Sequence, residues 1–259
     1  MDYGYRMLRH VVAQVFGNLG QAARLTLVPT FLPLIILIVL MPDLGMGLMG
    51  PADPFASTTP VPDEALGSSL LALLTFIVVS VVGYCWAAVG WHRFVLLEEF
   101  GRGVVPSWHG NLIMSYLGRA FLIGLLTIAV AIAGMIVVGI LTAAFQSVTI
   151  IFVLMTGFIL GLTWMITRVG LILPAAALGQ QMSMRESWAE TRPVASHILV
   201  PLLFISIGMT ILGQLVIFIF GASMLAIIPN AVMYWIQVLL NLSLMTTLYG
   251  TQVEGRPLN

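Results

Sequence analysis

The longest apolar stretch of the chain, residues 120–167, contains no charged side chain and is closed at its ends by Arg119 and Arg168. A helix needs about 20 apolar residues to cross a hydrocarbon core of roughly 30 Å, so this stretch predicts two crossings. Its only polar break is Gln146-Ser147, near the middle. The pattern reads as an antiparallel helical hairpin, 120–144 and 148–167, that turns on the far side of a membrane and keeps both arginines on the near side.

The rest of the chain is arranged around that hairpin. In residues 3–23 the apolar positions Met7, Leu8, Val11, Val12, Val15, Phe16 and Leu19 recur at helical spacing, with Arg6, Arg9, His10, Gln14 and Asn18 on the other side. This predicts an amphipathic helix lying in the membrane interface. A cleaved leader carries its apolar core within the first 15 to 30 residues; here the apolar run starts only at Leu25, so no cleavage is expected. The first span, 25–41, holds Pro29 and Pro33 on one face, and each removes a backbone donor, which predicts a kinked or locally opened helix. Residues 42–67 are rich in Pro, Gly and Met and carry Asp43, Asp53, Asp63 and Glu64. They form the one long outer loop, and their spacing matches no compact metal-ligand loop. The second span, 69–91, ends on Trp91 and Arg93 as interfacial anchors.

A second interfacial helix is expected within 100–118, from the spacing of Trp108, Leu112, Ile113, Tyr116 and Leu117. After the hairpin, Ser183 and Glu186 have capping-box spacing and Pro193 ends the run, which predicts a short, well-bounded helix. A fifth span at 195–220, a short turn at 221–230 and a sixth span at 231–250 complete the chain.

Composition fixes the class. With 60 % hydrophobic and 8 % charged residues, and a mean hydropathy of +1.07, the chain is far from a soluble domain, which carries about 25 % charge. It is expected to be one all-α, polytopic membrane domain over 1–259, with six transmembrane helices. All ten basic residues are arginine, a usage that fits the codon bias of a GC-rich genome. They all fall on one side of this arrangement, and the segments 42–67, 145–147 and 221–230 hold none. The positive-inside rule then puts both termini in the cytoplasm. The single Cys85 lies in an apolar run and forms no internal disulfide.

Each odd-numbered span follows an interfacial stretch: Asn18-Leu-Gly-Gln-Ala-Ala-Arg24, Tyr116-Leu-Gly-Arg119 and Glu190-Thr-Arg192-Pro193. The chain thus reads as three tandem units, each an interfacial helix and a hairpin, and the repeat is parallel rather than inverted. At Arg168-Val-Gly-Leu-Ile-Leu-Pro-Ala, followed by Ser183, Glu186-Ser-Trp188 and Thr191-Arg192, the chain resembles the six-helix membrane domain that accompanies some bacterial glycerophosphoryl diester phosphodiesterases. It is similar there to related stand-alone inner-membrane proteins too. The likeness is strongest over 160–215. It implies fold and placement in a bacterial cytoplasmic membrane; hydrolysis belongs to a separate soluble domain of the fused relatives, so no catalytic residue is carried over.

Ionisable groups inside a membrane mark proton and ion paths, and none in the six spans lies away from an interface, which argues against a proton-coupled pump. Deep polar positions are amides and hydroxyls: Thr210 and Gln214 in span five, Gln237 and Asn241 in span six. They are expected to bond between helices or to line a polar path. Gly157 with Gly161, and Gly83 with Ala87, form small faces that let helices approach closely, either within the chain or on a partner subunit. Arg93, Arg102, Arg119, Arg168, Arg185 and Arg192, interleaved with Trp91, Trp108 and Trp188, suit anionic lipid headgroups. The sequence holds no nucleophile elbow, phosphate loop, metal-ligand cluster or nucleic-acid motif, so neither an enzyme nor a cofactor nor a nucleic-acid partner is expected. The favoured reading is a non-catalytic membrane protein that organises proteins or lipids, for instance an accessory subunit or assembly factor. The alternative is a transporter or flippase-like lipid-handling protein.

Overall fold

The computed structural model describes residues 2–40, 63–101, 103, 105–221 and 223–258. Among these the chain is all-α, with no strand. The described residues hold nine α-helices, in order α1 (Tyr3–Phe16), α2 (Leu19–Leu40), α3 (Asp63–Leu97), α4 (Gly110–Phe145), α5 (Val148–Val169), α6 (Ile172–Ala177), α7 (Met184–Glu190), α8 (Leu199–Phe220) and α9 (Ile227–Gln252). Among the described residues, six helical segments are long and apolar enough to cross a membrane: Leu19–Leu40, Leu70–Leu97, Gly110–Phe145, Val148–Ala177, Leu199–Phe220 and Met224–Gln252. The protein is therefore a multi-pass membrane protein of six helical spans.

Several boundaries differ from the sequence expectation, each for a local reason. The first helix stops at Phe16, and residues 19–24 belong to the first span. Met7, Val11 and Val15 on its apolar face are fully buried in the protein, while Val12 and Phe16 stay exposed. The separate interfacial helix expected near 108–117 does not form. With no proline to stop it, α4 runs unbroken for 36 residues, about 54 Å at 1.5 Å per residue. The repeat is consequently uneven, because a separate helix precedes the first and third hairpins but not the second. α2 continues through both prolines without opening. Most of the expected outer loop lies outside the described residues, and α3 already begins at Asp63.

The chain divides into two compact units, one of Met1–Val11, Gly110–Phe204 and Leu244–Asn259, the other of Val12–His109 and Ile205–Ser243. In the first, Ile123, Val169 and Ile172 form a buried cluster with Leu126 and Ile166 packed on it. The two arginines that bound the apolar hairpin hold the segment that follows it. Arg119 donates to the carbonyls of Ile172 at 2.9 Å and Gln180 at 2.8 Å. The start of the chain is fixed in the same unit, where Asp2 pairs with His197 at 3.3 Å and the Tyr3 hydroxyl accepts from Gln252 at 3.0 Å.

In the second unit, α2 packs on α3 through the backbone atoms that its prolines leave free. Pro33 cannot donate to the Pro29 carbonyl, and Pro29 cannot donate to that of Leu25. Gly83 lies directly against the Pro29 carbonyl, and a side-chain carbon at Gly90 would come within 3.8 Å of that of Leu25. Both freed oxygens therefore face glycines of α3, where Cα–H groups approach carbonyls closely. α3 ends at Leu97 with Glu98 in the left-handed region at φ 57°, and the Glu99 N–H reaches back to the Arg93 carbonyl at 3.4 Å. Glycine normally occupies that position. Glu98→Gly is expected to raise stability by about 0.5 kcal/mol, the relief of left-handed strain less the entropy of a more flexible unfolded chain. Thermal unfolding in detergent checks this, and a lower melting temperature would show that the Glu98 side chain contributes more than its backbone costs.

Candidate functional site

Three helices of the second unit line a cavity of about 520 Å³. α2 contributes Thr30, Phe31, Pro33 and Leu34; α3 adds Phe76, Ser80 and Tyr84; α9 adds Ile227, Asn230, Ala231 and Tyr234. These residues lie toward the span ends that carry no arginine. The volume falls in the range of small-molecule sites. Tyr84, Asn230 and Tyr234 are exposed, so the cavity is a cleft open along one side.

Two indole hydrogen bonds hold α9 against its neighbours beyond the cavity. Trp235 Nε1 donates to Thr26 Oγ1 at 2.7 Å, and that hydroxyl donates to the Ala22 carbonyl at 2.6 Å. Two turns further along α9, Trp91 Nε1 donates to Ser243 Oγ at 3.0 Å. Interhelical hydrogen bonds of this kind contribute about 0.6–2 kcal/mol each. Trp91 is fully buried, so the anchor at headgroup level expected from sequence is in fact an internal tie.

The deep polar residues do not bond between helices among the described residues, the first of the two sequence expectations. Thr210 donates back to the Ser206 carbonyl of its own helix at 2.8 Å. Gln214, Gln237 and Asn241 are exposed, and their amides make no hydrogen bond among the described residues. They form no interhelical bonds. On α9 they extend a longer row: Asn230, Tyr234, Gln237 and Asn241 stand at i, i+4, i+7 and i+11, and all four are exposed. That spacing puts them on one helical face, over about 16 Å of helix. The row starts in the cavity wall and ends below the middle of the span. α8 meets α9 where Gly213 lies beside the Met233 methyl group, one residue from Gln214 and one from Tyr234.

The two small faces part company. Gly83 and Ala87 are buried, and Gly83 packs on Pro29, so this face serves packing within the chain. Gly157 and Gly161 are exposed, with nothing within 4 Å of an added side-chain carbon.

The arginines and tryptophans also divide. Arg93 donates from Nε to Glu99 at 2.6 Å, and the other carboxylate oxygen of Glu99 lies 3.1 Å from His109 Nε2. This triad secures the segment after α3, as does Trp86, which donates to the Ser107 carbonyl and meets the exposed Trp108 edge to face at 5.2 Å. Arg102 lies outside the described residues. Arg185 and Arg192 are exposed and make no ion pair among the described residues.

Arg168 is only 5 % exposed, so it is not the free headgroup-facing arginine read from sequence. Its guanidinium carbon lies 3.7 Å from the Trp188 ring centre and 4.9 Å from that of Trp164. Nε donates to Thr191 Oγ1 at 3.2 Å and Nη2 to the Trp188 carbonyl at 2.8 Å. Ser187 Oγ donates to the Arg168 carbonyl and accepts from the Leu171 N–H, tying α7 to the end of α5. The expected capping box of α7 is present. Ser183 Oγ accepts from the Glu186 N–H, and the Ser183 N–H donates to Glu186 Oε2 at 2.7 Å. These bonds from Ser183, the backbone one foremost, hold the Glu186 carboxyl below the usual carboxylate range. Their contribution is present above the ordinary carboxylate pKa and is lost as pH falls through the lowered value.

Apart from Pro33, the cavity residues were not singled out from sequence. Thr30 and Ser80 are small hydroxyls in apolar runs and carry no signal, but the row from Asn230 to Asn241 is visible as a periodicity once Asn230 is placed inside the helix. No protein-family model, curated protein or solved structure matches the chain.

Proposed function

We propose that the protein is a non-catalytic, lipid-handling membrane protein, in which the cleft between α2, α3 and α9 receives a lipid headgroup and the polar face of α9 leads it toward the membrane middle. The observation that carries this reading is the exposed row Asn230, Tyr234, Gln237 and Asn241, continuous with the cleft. An unpartnered amide in hydrocarbon costs on the order of 0.5–2 kcal/mol even by scales that allow partial compensation. Acyl chains offer it nothing, whereas a headgroup that slides along the row while its tails stay in lipid satisfies it. This moves the balance from the organising reading to the lipid-handling one.

The test is trans-bilayer movement of an acyl-labelled fluorescent lipid in vesicles carrying the purified protein, followed by quenching of outer-leaflet label. Gln237→Leu with Asn241→Leu is expected to slow movement at least tenfold. Both positions are exposed in the span, where leucine is the more favourable residue, so the double variant stays folded. Unchanged movement would remove the row from the function. A docking role retains one supporting observation, the open Gly157/Gly161 face of α5; leucine at either glycine should release a partner subunit and leave the fold intact.

A further inference from the structure

The cleft and the row below it share a chemical character that narrows the ligand. Their polar groups are the hydroxyls of Thr30, Ser80, Tyr84 and Tyr234 and the amides of Asn230, Gln237 and Asn241. Among the described residues, no Asp, Glu, Lys, Arg or His lines the cleft. A phosphate or carboxylate leaving water here would meet no counter-charge, and the effective cost of burying an uncompensated ion is several kcal/mol. Hydroxyls lose much less: each can both donate and accept, as can each amide and hydroxyl of the wall, and such bonds recover about 1 kcal/mol each. Tyr84 and Tyr234 also line the cleft, and an aromatic ring is a surface of the kind that packs on the C–H face of a sugar ring.

Resting on the lipid-handling reading above, we propose that the lipid taken by this cleft is an uncharged one with a polyhydroxylated headgroup, a glycolipid. Its sugar hydroxyls exchange partners among the cleft residues and then along Gln237 and Asn241. Its acyl chains stay outside the open side of the cleft.

The full-length protein, reconstituted in phosphatidylcholine vesicles, is tested with trace amounts of three lipids bearing the same acyl-linked fluorophore: a monoglucosyl diacylglycerol, phosphatidylcholine and phosphatidylglycerol. The glucosyl lipid should cross at least tenfold faster than either phospholipid. Equal rates for all three would overturn the headgroup class and leave lipid handling standing, and so would a faster phosphatidylglycerol. No acceleration of any lipid would overturn both. Asn230→Arg places a cation at the mouth of the cleft, at an exposed position near the end of its span. It should raise the phosphatidylglycerol rate severalfold and lower the glucosyl rate; if the two rates keep their wild-type ratio, the charge-neutral wall does not set the preference.

Discussion

Arg168→Ala is expected to cost about 3–5 kcal/mol, the largest stability loss of any single arginine replacement. The side chain is 5 % exposed, lies on two indole faces and donates to Thr191 and to the Trp188 carbonyl. Hydrogen bonds from a charged donor contribute about 1.5–3 kcal/mol each, and cation–π contacts about 0.5–2 kcal/mol; because the groups act together, their sum is an upper bound. Position adds to this, since Arg168 stands in the last turn of α5, where the helix dipole favours a cation. Thermal unfolding in detergent should begin roughly 10 °C lower. Arg168→Lys keeps the charge but loses the planar fork that reaches both acceptors, and it should recover less than half of the loss. Arg185→Ala, at an exposed position, should stay within about 0.5 kcal/mol. Equal melting temperatures for Arg168→Ala and Arg185→Ala would show that the two tryptophans and α7 hold together without the arginine.

Gly83→Ala is expected to destabilise by about 2–3 kcal/mol even though alanine favours a helix by about 1 kcal/mol over glycine. The added methyl group would overlap the Pro29 carbonyl oxygen, with Pro33 Cγ at 3.6 Å. Backbone cannot swing away as a side chain can, so α2 and α3 must separate. Ser80 and Tyr84, which line the cleft, lie on either side of Gly83 in α3, and their displacement should slow lipid movement as well. Gly90→Ala is the matched control: its new carbon would sit 3.8 Å from the Leu25 carbonyl, an ordinary contact. It should be neutral or slightly stabilising in the same melting experiment. If the two variants behave alike, close approach at the proline-freed carbonyl does not hold the helices together.

Much of the fold could be read from the chain because a membrane imposes two simple rules, a span length and the exclusion of charge. The apolar run 120–167 and its Gln146-Ser147 break gave the hairpin, and Gln146 indeed turns the chain with φ 47°. The capping box at Ser183 and Glu186 was equally legible, since it depends on neighbours three residues apart. The continuity of α4 was not, because tryptophan and arginine near its start suit an interfacial helix and the first turns of a long span alike.

The site was harder to see for a physical reason. Periodicity reports which residues share a face but not whether that face looks into the protein or out of it, as lipid and protein interior are similarly apolar. Gly83 and Gly157 sit in similar motifs, yet one packs on Pro29 and the other is open. Arg168 has the sequence context of an interfacial arginine, and only the fold of 183–195 back onto the end of α5 buries it. Hydrogen bonds among Arg168, Ser187, Trp188 and Thr191 hold that fold in place.

Photo-crosslinking tests the central claim most directly. A lipid carrying a diazirine in its headgroup, activated in vesicles that contain the full-length protein, should leave adducts concentrated on two peptides, one holding Ser80 and Tyr84 and the other running from Asn230 to Asn241. Gln237→Leu with Asn241→Leu should remove most of the second set and spare the first. Adducts spread evenly over the exposed faces, with α5 around Gly157 labelled as heavily as α9, would contradict a headgroup site in the cleft.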